Sequence, residues 1–171
     1  TTLVKLLLGY FAPTSGNIFL GDTPLQDYDM TSWRHSCGVV LQDSHVFSES
    51  LARNIAVEDK HIDRTRLRTA ARQANLEEFI EKLPLKYQTM VGAEGVGLSR
   101  GQEQRIFIAR ALYKDPSFVF LDEATNSLDA NNERIITGNL LDFCKGRTVL
   151  IVAHRLSTIR HADKIVVLHK G

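Results

Sequence analysis

Phe118-Val119-Phe120-Leu121-Asp122-Glu123 is the stretch that decides the fold. Four apolar residues in succession, rich in β-formers and followed by a charged pair, read as a short strand buried on both faces. Two other runs have the same form. Cys37-Gly38-Val39-Val40-Leu41 ends in Gln42, and Thr148-Val149-Leu150-Ile151-Val152-Ala153 ends in His154. Apolar strands separated by helical segments imply βα units, hence an α/β fold with a mostly parallel sheet flanked by helices. In such sheets ligands bind beyond the carboxyl ends of the strands. Gln42, Asp122, Glu123 and His154 are therefore expected at one site. One charged residue after a strand is ordinary solvated surface; three polar endings, one of them a carboxylate pair, carry more. Adjacent carboxylates suit metal-assisted phosphate chemistry, with Asp122 holding Mg²⁺ and Glu123 left to act on a water molecule.

Working outward, Ser99 is an N-cap for a helix expected over Arg100 to Tyr113. Ser99-Arg100-Gly101-Gln102 can handle phosphate, because free amides and the helix dipole attract an anion. Taken alone, a plain N-cap explains it equally. Between Gln42 and Ser99 the periodicity is helical. Ser48 and Ser50 can cap Leu51 to Ile55. The basic Arg64 to Ala74 segment reads as a helix with a solvated face. Leu76, Phe79, Ile80 and Leu83 form an apolar stripe that Pro84 ends. Asn131 to Phe143 is a further helix. At the start, Thr1 to Leu8 reads as a helix presenting Leu3, Leu6, Leu7 and Tyr10 on one face. Asn17 to Leu20 and Lys164 to Leu168 read as strands, and Pro24 to Tyr28 as a loop.

Composition narrows the function classes. The 171 residues suffice for one domain or part of one, with ordinary shares of hydrophobic (43%) and charged (24%) residues that exclude a disordered chain. A net charge of +1 argues against a broad nucleic-acid surface or a polybasic membrane anchor. Two cysteines, Cys37 and Cys144, are too few for a disulfide scaffold, and the six histidines show no metal-ligand spacing. No apolar stretch approaches the ~20 residues needed to span a bilayer.

Together these segments resemble the nucleotide-binding domain of ATP-binding cassette (ABC) transporters. Leu98-Ser99-Arg100-Gly101-Gln102 resembles the family's LSGGQ signature, and Phe118 to Glu123 resembles Walker B with its following glutamate. Ser127-Leu128-Asp129 resembles the end of the D-loop. Val152 to Thr158 resembles the switch-histidine loop, and Gln42 the Q-loop glutamine. Thr1-Thr2-Leu3 resembles the tail of Walker A, G-x-x-x-x-G-K-[ST], which places Thr1 at the Mg²⁺-binding hydroxyl. The expectation is a domain truncated at its N-terminus within Walker A, with its first strands missing and little ATP turnover as an isolated chain. Residues 1–42 and 115–171 then form a P-loop NTPase-like, RecA-like core, and about 43–114 an inserted helical subdomain. Thr89-Met90-Val91-Gly92 and Ser44 to Ile55 resemble exporter segments that face the membrane domain. This points to exporters of peptides or bacteriocins, lipids or drugs.

The resemblance implies an ATPase motor. ATP would meet Thr1 and Thr2, Mg²⁺ would meet Thr1, Gln42 and Asp122, and Gln42 would also sense the attacking water as part of the catalytic set. Glu123 would activate water and His154 would contact the γ-phosphate. Leu98, Ser99, Arg100, Gly101 and Gln102 of a second nucleotide-binding domain would close the site in a head-to-tail dimer, with Asp129 at the interface. A transmembrane domain, fused upstream, would place the cassette on the cytoplasmic face of a membrane; nucleic acid is not an expected partner. Two alternatives keep the same residues: a soluble ABC ATPase acting on DNA or ribosomes, and a regulatory cassette that does not hydrolyse ATP. Two departures stand out: Arg100 occupies a position where the family has Gly, and Ala93 separates Gly92 from Glu94.

Overall fold

The computed structural model describes residues 1–57, 59–153 and 160–169. Strands β3 (Cys37–Val40), β4 (Phe118–Asp122) and β5 (Thr148–Val152) form a parallel sheet in the order β3-β4-β5. Val40 lies opposite Leu121, and Asp122 opposite Val152, so the three carboxyl ends are level. A two-stranded antiparallel pair, β1 (Phe19–Leu20) and β2 (Thr23–Pro24), stands apart from this sheet.

The period-2 alternation of β4 explains why its run is apolar throughout. Val119 and Leu121 join one core cluster with Ile106, Ile108 and Leu112, while Phe120 joins a second with Val4, Leu8, Trp33 and Cys37. Helices supply both covers: α6 (Arg100–Lys114) on the first face, and α1 (Thr2–Leu7) with α2 (Met30–His35) on the second. Each fully buried aliphatic side chain contributes about 1.5–3 kcal/mol. Gly38 allows the close approach behind β3. A Cβ there would stand 2.5 Å from Pro116 Cγ and 3.3 Å from the Ala111 carbonyl oxygen.

The segment between β3 and α6 holds α3 (Leu51–Ile55), α4 (Arg64–Gln73) and α5 (Glu77–Glu81). Ser50, not Ser48, caps α3, its side chain accepting from the Arg53 amide. Helix α5 is one short stretch that stops three residues before Pro84. The segment is also less purely helical than its periodicity implies. Leu51 N–H donates to the Thr89 carbonyl (3.0 Å) and Val91 N–H to that of Glu49 (3.0 Å), so residues 49–51 and 89–91 are laced together. Helix α7 (Ala130–Cys144) connects β4 to β5.

Several expectations need correction. The buried stripe of α1 is Val4 and Leu8, an i,i+4 pair, whereas Leu3 and Tyr10 are exposed. The stretch over Pro24 to Tyr28 is not loop alone: Pro24 ends β2 and a 3₁₀ turn follows at Leu25–Asp27. Of Asn17 to Leu20 only Phe19 and Leu20 pair. Lys164 to Leu168 forms no strand, and Val167 is 85% exposed; β-branched composition needs a neighbouring ladder, and these residues find none among the described ones. Both cysteines are free thiols, Cys37 buried and Cys144 half-buried.

Candidate functional site

The parallel register brings three of the chosen residues to one end of the sheet. Asp122 ends β4 and is buried, Glu123 follows it, and exposed Gln42 sits in the turn after β3. That turn is pinned by Lys5 Nζ, which donates to Asp43 Oδ2 at 2.7 Å. Thr1, exposed at the start of α1, joins them: its backbone nitrogen lies 3.4 Å from Asp122 Oδ2. His154 lies outside the described residues; Val152, two positions earlier, is the partner of Asp122.

Asp122 Oδ2 is buried and, among the described residues, accepts no hydrogen bond, with the Thr1 nitrogen its nearest charged neighbour. A buried carboxylate oxygen that accepts no hydrogen bond is costly, so such an oxygen is suited to a cation. Among the described residues no three His, Cys, Asp or Glu side chains gather. One carboxylate with a nearby threonine fits Mg²⁺, which binds through one or two protein oxygens plus phosphates and water.

Glu123 adopts φ +54°, a left-handed conformation that costs a non-glycine residue about 1–2 kcal/mol. The surroundings hold it there. Its N–H donates to the Val152 carbonyl (3.0 Å), and its own carbonyl accepts from the Asn126 amide (3.2 Å) and from Gln104 Nε2 (2.9 Å). Its carboxylate accepts from Asn126 Nδ2 at 2.6 Å. Strain sustained by so many bonds at a strand end is characteristic of functional sites.

The signature residues do not share the sheet end; they open α6. Ser99 and Gln102 form a reciprocal capping box, Ser99 Oγ accepting from the Gln102 amide (3.3 Å) and Gln102 Oε1 from the Ser99 amide (2.8 Å). The amides of Arg100 and Gly101, which no helical carbonyl can reach, remain directed out of the helix end. Arg100 is exposed, Leu98 packs against the core, and a Cβ on Gly101 would lie 3.2 Å from the Ser127 carbonyl oxygen. Asp129 caps α7, accepting from the amides of Asn131 (3.1 Å) and Asn132 (3.0 Å). Those bonds, that from Asn132 above all, hold its carboxyl below the ordinary 3.8. Thr2 is the first residue of α1 and is exposed.

Sequence reading missed two polar anchors, Gln104 at this site and Asn54 in the segment between β3 and α6. Gln104, in the second turn of α6, bonds both Glu123 and Ser127, and no motif rule marks it. Asn54, completely buried, accepts from the Phe47 amide (2.8 Å) and donates to the Phe47 carbonyl (3.0 Å). Arg110 donates to the Asn54 carbonyl (2.8 Å) and lies over the Phe47 ring; burial lowers its pKa to about 10. The signal available was a polar residue at a core position of a helical stripe.

Comparison with known proteins bears on the family and the fold. The family model described as ABC transporter matches residues 1–126. The ATP-dependent lipid A-core flippase of Chromohalobacter salexigens is 44% identical over all 171 residues, which cover 30% of its length. The toxin RTX-I translocation ATP-binding protein of Actinobacillus pleuropneumoniae is also 44% identical over the whole chain, covering 24% of its length. Among solved structures, a bacterial Atm1-family ABC exporter with ATP bound superposes with a TM-score of 0.89 at 36% identity, over 95% of this chain and 29% of that one. The chain thus spans under a third of the length of these relatives. With the motifs in order, the sheet ends level and the family model matched over most of its length, this chain belongs to the ABC transporter family.

Proposed function

We propose that this chain is the ATP-binding and ATP-hydrolysing part of an ABC exporter that moves a lipid, drug-like or peptide cargo across a membrane. The observation that carries the reading is the sheet end, where buried Asp122 and strained Glu123 stand beside Thr1 and the Gln42 turn. Relatives named as a lipid A-core flippase and a toxin translocation protein favour export over action on DNA or ribosomes. We take residues 1–42 and 115–171 as the catalytic core and 43–114 as the helical part. The cassette sits on the cytoplasmic face of the membrane, beside a transmembrane domain.

Thr1, Gln42 and Asp122 would hold Mg²⁺. Bound there, the ion would offset phosphate charge and orient the β- and γ-phosphates. Glu123 takes the proton of the attacking water, its carboxylate aimed by Asn126 and by the bonds that fix the backbone of residue 123. The outward amides of Arg100 and Gly101, with the Ser99 hydroxyl, suit the γ-phosphate of a nucleotide held by a second copy. Leu98 and Gln102 keep that helix end in place. Asp129 lies at the copy-to-copy interface, and His154 contributes to the γ-phosphate contact. A nucleotide gripped from both sides joins the two copies, and loss of its γ-phosphate releases them.

Segments 44–55 and 89–92 would carry the movement to the membrane domain. Their support is mutual hydrogen bonding, with Phe47 and Met90 left partly exposed. The test is Glu123→Gln in the transporter that carries this sequence. Turnover should fall by about a hundredfold or more, with ATP binding retained. Turnover near the wild-type rate would reject Glu123 as the base.

A further inference from the structure

We propose that Gln104 is a positioning residue for Glu123, tying the amino end of α6 to the turn that carries the carboxylate. The proposal rests on the reading of Glu123 as the base given above. Gln104 Nε2 donates to the Glu123 carbonyl at 2.9 Å, and Gln104 Oε1 accepts from the Ser127 amide at 2.8 Å. One planar amide therefore grips both ends of the turn 123–127. The two partners are backbone groups of opposite kind, a carbonyl that only accepts and an amide that only donates. A neutral amide in one orientation satisfies both; a carboxylate or an ammonium satisfies one.

The grip matters because of what lies inside it. Glu123 has φ +54°, a conformation that a glutamate holds only when its surroundings impose it. Of its backbone bonds, the one that Glu123 N–H donates to the Val152 carbonyl belongs to the sheet, and the one accepted from the Asn126 amide belongs to the turn itself. Gln104 adds a bond from a helix, α6, to the carbonyl side of the same residue. It sits one turn beyond Gly101, whose Cα faces the Ser127 carbonyl so closely that a Cβ would be 3.2 Å from it. The first two turns of α6 thus touch the 123–127 turn at both levels. In the head-to-tail arrangement the amino end of α6 serves the partner copy's nucleotide, whereas Glu123 serves its own. Gln104 is then a direct mechanical link, within one chain, between the two sites. A shift of α6 on closure moves the Glu123 backbone and with it the aim of the carboxylate.

The experiment compares wild type, Gln104→Glu, Gln104→Met and Glu123→Gln in the transporter that carries this sequence, measuring ATPase kcat, KM for ATP and thermal midpoint. Gln104→Met removes both bonds. Gln104→Glu keeps an acceptor for Ser127 but sets an oxygen against the Glu123 carbonyl. Both should lose about tenfold or more in kcat, because small misplacement of a base is costly. KM should stay within about threefold, as expected when transition-state interactions alone are affected. If Gln104→Met lowers the midpoint by more than about 5 °C, Gln104→Glu carries the test. Unchanged kcat, or a loss that falls in KM instead, overturns the proposal. If Glu123→Gln is inactive while the Gln104 variants are not slow, only this proposal falls; if Glu123→Gln turns over normally, the reading of Glu123 falls first.

Discussion

Arg100 is the residue at which this chain departs most visibly from the signature it resembles, and its position fixes what the departure can do. It is the first residue of α6 and is exposed, while the close approach to Ser127 is made by its neighbour Gly101. A side chain at the first helical turn points away from the helix axis, and a guanidinium there adds positive charge beside a site for phosphate. Arg100→Gly should therefore change ATP-driven association of the cassettes by less than about threefold at physiological salt, where exposed charges are screened. Light scattering or crosslinking in a hydrolysis-deficient background checks this. A gain of about tenfold or more in the variant would show that Arg100 obstructs closure. Gly101 is the less tolerant position, since any Cβ there presses on the backbone of the turn that holds the acid pair.

At the scale of elements, the packing of β3 against the end of α6 gives the sharpest stability prediction. Gly38→Ala places a methyl 2.5 Å from Pro116 Cγ, a ring atom with little freedom to yield. The expected cost is about 1–3 kcal/mol, readable as a lower midpoint in thermal unfolding; an unchanged midpoint would mean that the 115–117 connection moves freely. Asn54→Ala should cost a similar about 1–3 kcal/mol, since Phe47 N–H and C=O lose their buried partners. The same elements show what sequence can convey. β3 and β4 were legible because burial on both faces demands unbroken apolar runs, and β5 because its run is equally apolar although it is only half-buried; α6 was legible from its Ser99 cap, and α4 and α7 from their helical patterning. Helix α2 was not legible: six residues carry less than two periods, and only the Asp29 cap marks it. Lys164 to Leu168 misled for the opposite reason, since its composition fits a strand but pairing is not a property of the segment itself. At the site, Gln42 and the Asp122–Glu123 pair share one end of the sheet because parallel strands align them, while His154 lies outside the described residues. Gln104 and Asn54 were not legible, because their partners are backbone groups brought near only by the fold.

For the whole molecule, ionisable groups set a stability plateau with two edges of different origin. On the acid side, Asp29, Asp43, Glu78, Glu81 and Asp129 are all held below their ordinary values, chiefly by hydrogen bonds from Ser32, Lys5, Lys82, Lys86 and Asn132 respectively. The folded state favours their ionised forms, so their stabilisation is present above the unfolded values and is lost as pH falls through the folded ones. All five are solvent-facing, which makes each contribution small and salt-sensitive. On the alkaline side the cause is burial. It raises the Cys37 thiol from 9.0 to about 11 and also raises Cys144, Tyr87 and Tyr113. There the fold favours the neutral form, so stability is present below the unfolded value and declines as pH climbs through the folded one. Thermal midpoints of the protein carrying this sequence should thus be flat between roughly pH 5 and pH 8.5, falling gently on the acid side and more steeply above about pH 9. Cys37 packs with Trp33 and Phe120 under the sheet, so ionising it means placing a charge in that cluster. Cys37→Ala removes the ionisable group and should soften the alkaline fall, at the expense of a slightly lower plateau. A wild-type midpoint that stays level to pH 11, or a variant whose alkaline fall is as steep as the wild type's, would show that Cys37 does not set that edge.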